Sequence, residues 1–136
     1  GVNGDGNKAL QLYHQMLEKG IQPTAKTFTA ILNACSHAGL VEDAKQVYHD
    51  MPKFGINPDM YHSNCLVDVL ARSGKIKEAE QFALSLPHCD QTTWMAVLGA
   101  CRTGDDIPIA ERAAAKLLEK NPHDASIYVT LANVYA

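Results

Sequence analysis

Three consecutive windows of this chain align with one another, and a repeat of this period constrains the fold more than any other property of the sequence. They are "AKTFTAILNACSHAGLVEDAKQVYHDMPKFGINPD" (25–59), "MYHSNCLVDVLARSGKIKEAEQFALSLPHCD" (60–90) and "QTTWMAVLGACRTGDDIPIAERAAAKLLEKNPHD" (91–124), of 35, 31 and 34 residues. Positions four, seven, eight and eleven of each window carry an apolar stripe. The residues are Phe28, Ile31, Leu32 and Cys35, then Leu66, Val67 and Leu70, then Trp94, Val97, Leu98 and Cys101. That spacing is one face of an α-helix. Ser63 interrupts the aromatic position, which predicts looser packing in the middle window. A glycine-bearing turn follows in each ("SHAGLV", "RSGKI", "RTGDD"). A second periodic segment comes next, with Val41, Ala44, Val47, Tyr48 and Met51, or Ile76, Ala79, Phe82, Ala83 and Leu86. Each window therefore predicts a helical hairpin.

Proline closes each hairpin or shapes the link to the next, at "IQPT", "INPD", "LPHCD" and "NPHD", because it lacks an N–H and restricts the residue before it. The polar residue after it suits the cap of the following helix. A hairpin of this size cannot bury its apolar face alone, so neighbours must stack. The expected fold is all-α, an α-solenoid of stacked hairpins forming one right-handed superhelix over residues 1–136, with the leading helices lining a concave surface. "NKALQLYHQMLEKG" reads as a lone second helix and "ASIYVTLANVYA" as a lone first helix, so both ends are expected to fall inside a unit.

Composition narrows the function. The chain has 136 residues, of which 46% are hydrophobic and 20% charged; this is enough apolar material for a core without disulfide support. Its net charge of −3 supplies no global basic field, so a polyanion partner would have to be held by local chemistry. No run approaches the eighteen or so apolar residues of a membrane span, and no membrane partner is expected. The first residues have the layout of neither a secretory signal nor a transit peptide. The four cysteines, Cys35, Cys65, Cys89 and Cys101, have no close pairing and sit in or beside apolar runs, which predicts reduced, mostly buried thiols.

"ACSHAGLVEDA" (34–44) concentrates a cysteine, a histidine and two carboxylates. Cys35 aligns with Leu70 and Cys101, which marks it as a core position. Zinc needs four ligands at short paired spacings, and the remaining histidines, His14, His49, His62, His88 and His123, are read as forming no such pairs with cysteine apart from the adjacent His88 and Cys89. No metal and no cofactor is expected. Nor is there an orienting group for a Cys/His nucleophile. His37 suits the exposed carbonyls of a helix end, and Glu42 and Asp43 suit the first turn of the next helix. The stretch reads as helix end, turn and helix start.

Taken together, "TFTAILNACSHAGLVEDA", "CLVDVLARSGKIKEAE", "TTWMAVLGACR", "ERAAAKLLEKNP" and "YVTLANVYA" resemble the pentatricopeptide repeat (PPR) family. The order of lengths resembles the PLS subfamily, in the C-terminal part of plant organelle RNA-editing factors. The resemblance covers essentially the whole chain. It implies the end of a standard repeat at 1–24, a long-type repeat at 25–59, a short-type repeat at 60–90, the first extension motif at 91–124 and the start of the second at 125–136.

In that family each repeat reads one base of single-stranded RNA through its fifth and last residues. The resemblance thus implies Thr29 with Asp59, favouring guanine, and Asn64 with Asp90, favouring uracil. Thr24 is the last residue of the incomplete first repeat, and Lys26 and Tyr61 occupy the second positions that flank the bases. Asn offers a donor and an acceptor, and Asp accepts. Lysine suits a phosphate, and tyrosine suits either base stacking or packing between units. Met95, at the fifth position of the extension motif, cannot read a base edge; Trp94 is expected in the core, and Asp124 as a helix cap. The resemblance further implies that the extension motifs bind protein, positioning a DYW-type cytidine deaminase domain in cis or in trans, with other editing-complex proteins, in a mitochondrion or plastid. The chain itself has neither the His-x-Glu nor the Cys-x-x-Cys of a zinc deaminase, and it is not expected to be an enzyme. The alternative is a tetratricopeptide-like scaffold that binds a peptide, to which "WMAVLG" and the tail from Asn121 also conform.

Overall fold

A computed structural model of the chain describes residues 2–136, and the side-chain surroundings from residue 5 onward. The described residues form eight α-helices and no strand. The helices are α1 (Val2–Glu18), α2 (Ala25–Ala38), α3 (Val41–Asp50), α4 (Met60–Arg72), α5 (Ile76–Ser85), α6 (Gln91–Ala100), α7 (Ile107–Lys120) and α8 (Ala125–Tyr135). The all-α expectation holds, and α2, α4, α6 and α8 begin on the first residues of successive sequence windows. Four prolines, Pro23, Pro58, Pro87 and Pro122, lie between helices, where the missing N–H costs no helical hydrogen bond. The chain divides into two compact units, the first ending at Val69 and the second running from Leu70 to Ala136.

In the first unit α1 packs on α2, and α2 on α3. The apolar stripe is buried as its spacing requires: Phe28, Ile31, Leu32 and Cys35 meet Val47 and Met51 in the core. Phe28 stacks edge-on to Tyr13 at 5.7 Å and lies 6.0 Å from Phe54. Each such side chain contributes about 1.5–3 kcal/mol by leaving water. Helix α1 starts earlier than its apolar pattern predicts, at Val2 rather than near Asn7. Gly6 allows this, because a Cβ there would come within 2.6 Å of the Cβ of Ala38.

The looser packing expected around Ser63 is not found. Ser63 is buried, and its hydroxyl lies 3.0 Å from that of Tyr48 on α3. This hydrogen bond ties the serine to a neighbouring helix.

The second unit packs α6 against α5, α7 and α8, with α7 also touching α5 and α8. Its core draws on Ala79, Ala83, Val97, Leu98, Ala110, Ala113, Leu117 and Ile127. Trp94 is buried, as expected, under the ammonium group of Lys116 at 5.3 Å from its ring centre. Glu80, itself buried, is held by the guanidinium of Arg112 through Nε at 2.8 Å and a terminal nitrogen at 2.9 Å.

The three glycine turns are not alike. Gly39 and Gly74 adopt φ of 71° and 83°, the left-handed conformation that closes a helix without a Cβ clash. Gly104 does not. It opens a short 3-10 turn, Gly104–Asp106, in which Asp106 takes over the closing role by accepting from the backbone N–H groups of Arg102 at 2.8 Å and Thr103 at 3.1 Å.

Candidate functional site

The last residue of each sequence window is also the N-cap of the next leading helix. Thr24 accepts from the N–H of Thr27 and its own N–H bonds the Thr27 hydroxyl, completing a capping box on α2. Asp59 Oδ1 accepts from the N–H of His62 at 3.1 Å on α4. Asp90 Oδ1 accepts from both the N–H and the hydroxyl of Thr93 on α6. Asp124 Oδ1 takes the N–H of Ser126 at 3.0 Å and its hydroxyl at 2.7 Å on α8. Extended backbone at a cap leaves the side-chain oxygen poised over the first turn, where the helix has unpaired donors. The same geometry fixes each of these side chains at the mouth of its helix. At Asp124 the hydroxyl and N–H of Ser126 and the amide of Gln91 hold the carboxyl below its usual range.

At the start of α4 this pattern acquires a second layer. The imidazole of His62 is 1% exposed, and both its nitrogens are engaged. Nε2 lies 3.0 Å from Thr29 Oγ1 and 3.1 Å from the carbonyl oxygen of Ala25, both on α2. Nδ1 accepts from the N–H of Asp59 at 3.1 Å and lies 2.8 Å from its Oδ1. A carbonyl can only accept, so Nε2 carries a proton whether the ring is neutral or charged. The Thr29 hydroxyl donates to Ala25 O at 3.0 Å. The fifth and last residues of window 25–59 thus meet opposite sides of one buried ring. Asp59 remains 65% exposed at its side chain, and Thr29 is half-buried.

The other sequence-derived residues divide between the units. Lys26 is exposed on α2. Tyr61 is 52% exposed on α4. Asn64, half-buried, lies on α4 in the first unit, and Asp90 caps α6 in the second. Met95 is half-buried. Beside Asp90, a cleft of about 190 Å³ is lined by Gln91, Trp94, Lys116, Lys120 and Asn121 among others.

The cysteine and histidine of 34–44 take the structural roles expected. Cys35 is fully buried, and burial pushes its thiol up to about 11. His37 is exposed in the last turn of α2, while Glu42 and Asp43 lie in the first turn of α3. Cys101 is buried too, but Cys65 and Cys89 are only half-buried, so the expectation of buried thiols holds for two of the four. Among the described residues no group of three or more potential metal ligands converges, and no helix is long and apolar enough to cross a membrane.

Sequence reasoning missed His62. Its signal was the third position of each window, where Thr27 and Thr93 stand in the neighbours, each bonded to the preceding last residue.

Residues 2–37 match the PPR repeat family, and residues 26–56 and 61–82 match the PPR repeat; together these matches cover more than half of the chain. The chain is similar to several proteins of Arabidopsis thaliana. One pentatricopeptide repeat-containing protein is 40% identical over 138 residues, which cover 100% of this chain and 20% of the relative. The chloroplastic pentatricopeptide repeat-containing protein CRR2 is 39% identical, over 100% of this chain and 21% of its own length. A mitochondrial pentatricopeptide repeat-containing protein is 39% identical, over 98% and 22%. The chain spans about a fifth of the length of these relatives.

Proposed function

The chain belongs to the pentatricopeptide repeat family, and from that premise we propose that it is the single-stranded RNA-binding repeat region of a C-to-U RNA-editing specificity factor of a mitochondrion or plastid. One observation carries the reading: Thr29 and Asp59, the fifth and last residues of the 25–59 repeat, engage the same buried imidazole. The organelle follows from relatives named as chloroplastic and mitochondrial. In this reading Thr29 with Asp59, and Asn64 with Asp90, each take the Watson–Crick edge of one unstacked base. Thr24, Lys26 and Tyr61 flank them, with Lys26 toward phosphate and Tyr61 toward a base.

The division at 1–24, 25–59, 60–90, 91–124 and 125–136 belongs to the same proposal. The last two segments turn from RNA to protein and position a cytidine deaminase domain. Met95 supports this because a thioether has no donor with which to read a base. So do Tyr128, Val129 and Tyr135, which are exposed on α8.

The test is an NMR titration of the chain with short single-stranded RNAs that differ in the base opposite the 60–90 repeat. With two complete reading pairs and a net charge of −3, binding is expected to be weak. Asn64→Thr should move the preference from uracil toward guanine by about tenfold, the worth of one well-placed hydrogen bond. An unchanged preference removes Asn64 from base reading. The cleft beside Asp90 favours a second reading, a peptide-binding scaffold, because Lys116, Lys120 and Asn121 together suit a carboxylate. A carboxylate-terminated peptide that shifts these three residues, with RNA shifting none of Thr29, Asp59 and Asn64, would select it.

A further inference from the structure

We propose that His62 is a positioning residue that locks the Thr29 hydroxyl as a hydrogen-bond acceptor and so sets the preference of the 25–59 repeat for guanine over adenine. The inference rests on the reading of Thr29 and Asp59 as base-contacting side chains. A threonine hydroxyl is ordinarily ambivalent, with one proton to donate and two lone pairs to offer. At position 29 that freedom is removed from two sides. The proton goes to the carbonyl of Ala25 at 3.0 Å. One lone pair is taken by Nε2–H of His62 at 3.0 Å, whose proton is required by the same carbonyl at 3.1 Å. One lone pair remains for a ligand.

The other side of the ring treats Asp59 in a parallel way. Nδ1 receives the Asp59 N–H, and the His62 N–H holds Oδ1 at 3.1 Å, so one carboxylate oxygen is tied to the helix cap while the side chain as a whole stays 65% exposed. Two acceptors therefore face the ligand position. Guanine presents two adjacent donors on its Watson–Crick edge, N1–H and the N2 amino group, and satisfies both acceptors. Adenine presents one donor beside an acceptor nitrogen, which would meet a lone pair and lose a hydrogen bond. Were Thr29 free to turn, its hydroxyl could donate to that nitrogen and the distinction would shrink. Because His62 is buried, it acts through these two side chains and not by touching RNA.

The experiment uses the whole chain in four forms: wild type, Thr29→Ala, His62→Leu and His62→Gln. Each is titrated by NMR with single-stranded RNAs carrying guanine or adenine opposite the 25–59 repeat. The imidazole ¹⁵N shifts of free wild-type protein are recorded alongside. The expected results are a proton on Nε2, a guanine preference of about tenfold in wild type, its loss in Thr29→Ala, and a fall to within about twofold in His62→Leu. His62→Gln, whose amide can still donate to Thr29, should keep most of the preference. A merely structural role would not separate the glutamine from the leucine variant when both remain folded. An Nε2 without a proton in wild type overturns the proposal even if neither variant folds. Loss of preference in Thr29→Ala but not in His62→Leu overturns the role of His62 and leaves the base-reading proposal standing. An unchanged preference in Thr29→Ala overturns both.

Discussion

The starts of α4 and α6 occupy equivalent places in their repeats, and they are built differently. At α6 the cap is local: Asp90 and Thr93 bond each other across three residues, and the threonine is fully buried. At α4 the third residue is a histidine, long enough to hold its own cap with one nitrogen and reach α2 with the other. The threonine secures one helix; the histidine ties two leading helices together and fixes the hydroxyl between them. A polar residue at this position therefore does more than terminate a helix when its side chain spans the gap between neighbours. The first unit continues the theme with Ser36 to Asp68 at 2.9 Å and Tyr13 to Asp50 at 3.0 Å, while the core of the second unit is made largely of alanine and aliphatic side chains.

The largest expected effects test whether the two units share a core position despite that contrast. Phe28→Ala in the first and Trp94→Ala in the second should each cost roughly 3–5 kcal/mol, since both remove a buried ring from position four. Ser63→Ala, at the same position of the middle repeat, should cost only about 1 kcal/mol, the loss of its bond with Tyr48. Urea unfolding followed by circular dichroism measures all three. A Ser63→Ala cost as large as that of the rings would mean that the bond with Tyr48 holds the middle repeat as firmly as a buried ring holds its neighbours.

The next effect probes the ion pair of the second unit. Arg112→Ala leaves the Glu80 carboxylate buried without its partner and should lower stability, though by less than breaking a fully buried pair because the arginine side chain is 56% exposed. Adding Glu80→Gln should recover part of it, because a neutral amide is less costly to bury. If the double variant is no more stable than Arg112→Ala, the charge of Glu80 is already screened by water.

Positions four, seven, eight and eleven were legible because burial imposes a period that Phe28, Leu32, Val97 and Leu98 obey without help from other residues. The capping roles of Asp90 and Asp124 were equally open to reading, since they depend on the next three residues alone. His62 was not. Its importance comes from Ala25 and Thr29, thirty-seven and thirty-three positions away, and no local pattern encodes that meeting. Ser63 misled for the same reason, as its partner Tyr48 belongs to the preceding helix. The early start of α1 was not legible either, because the reason for a glycine at position 6 is the proximity of Ala38.

The smallest expected effect separates the two kinds of turn. Gly39 and Gly74 close their helices through backbone conformation, which carries no charge; Gly39→Ala should cost about 1 kcal/mol at any pH. The third turn depends on the Asp106 carboxylate, which the N–H of Arg102 and the N–H and hydroxyl of Thr103 hold below its usual range. A carboxyl with a lowered folded value stabilises the protein above its unfolded value of about 3.9, and loses that contribution as pH falls through the folded one. Asp106→Asn, whose amide oxygen can still accept but carries no charge, should therefore cost roughly 0.5 kcal/mol or less at pH 7. The difference between wild type and variant should narrow as pH falls from about 5 to 3, while the Gly39→Ala difference stays level. Thermal unfolding across that range decides it: if the Asp106→Asn difference is as flat as that of Gly39→Ala, the carboxylate's charge has no part in holding the turn, and the two kinds of turn are energetically the same.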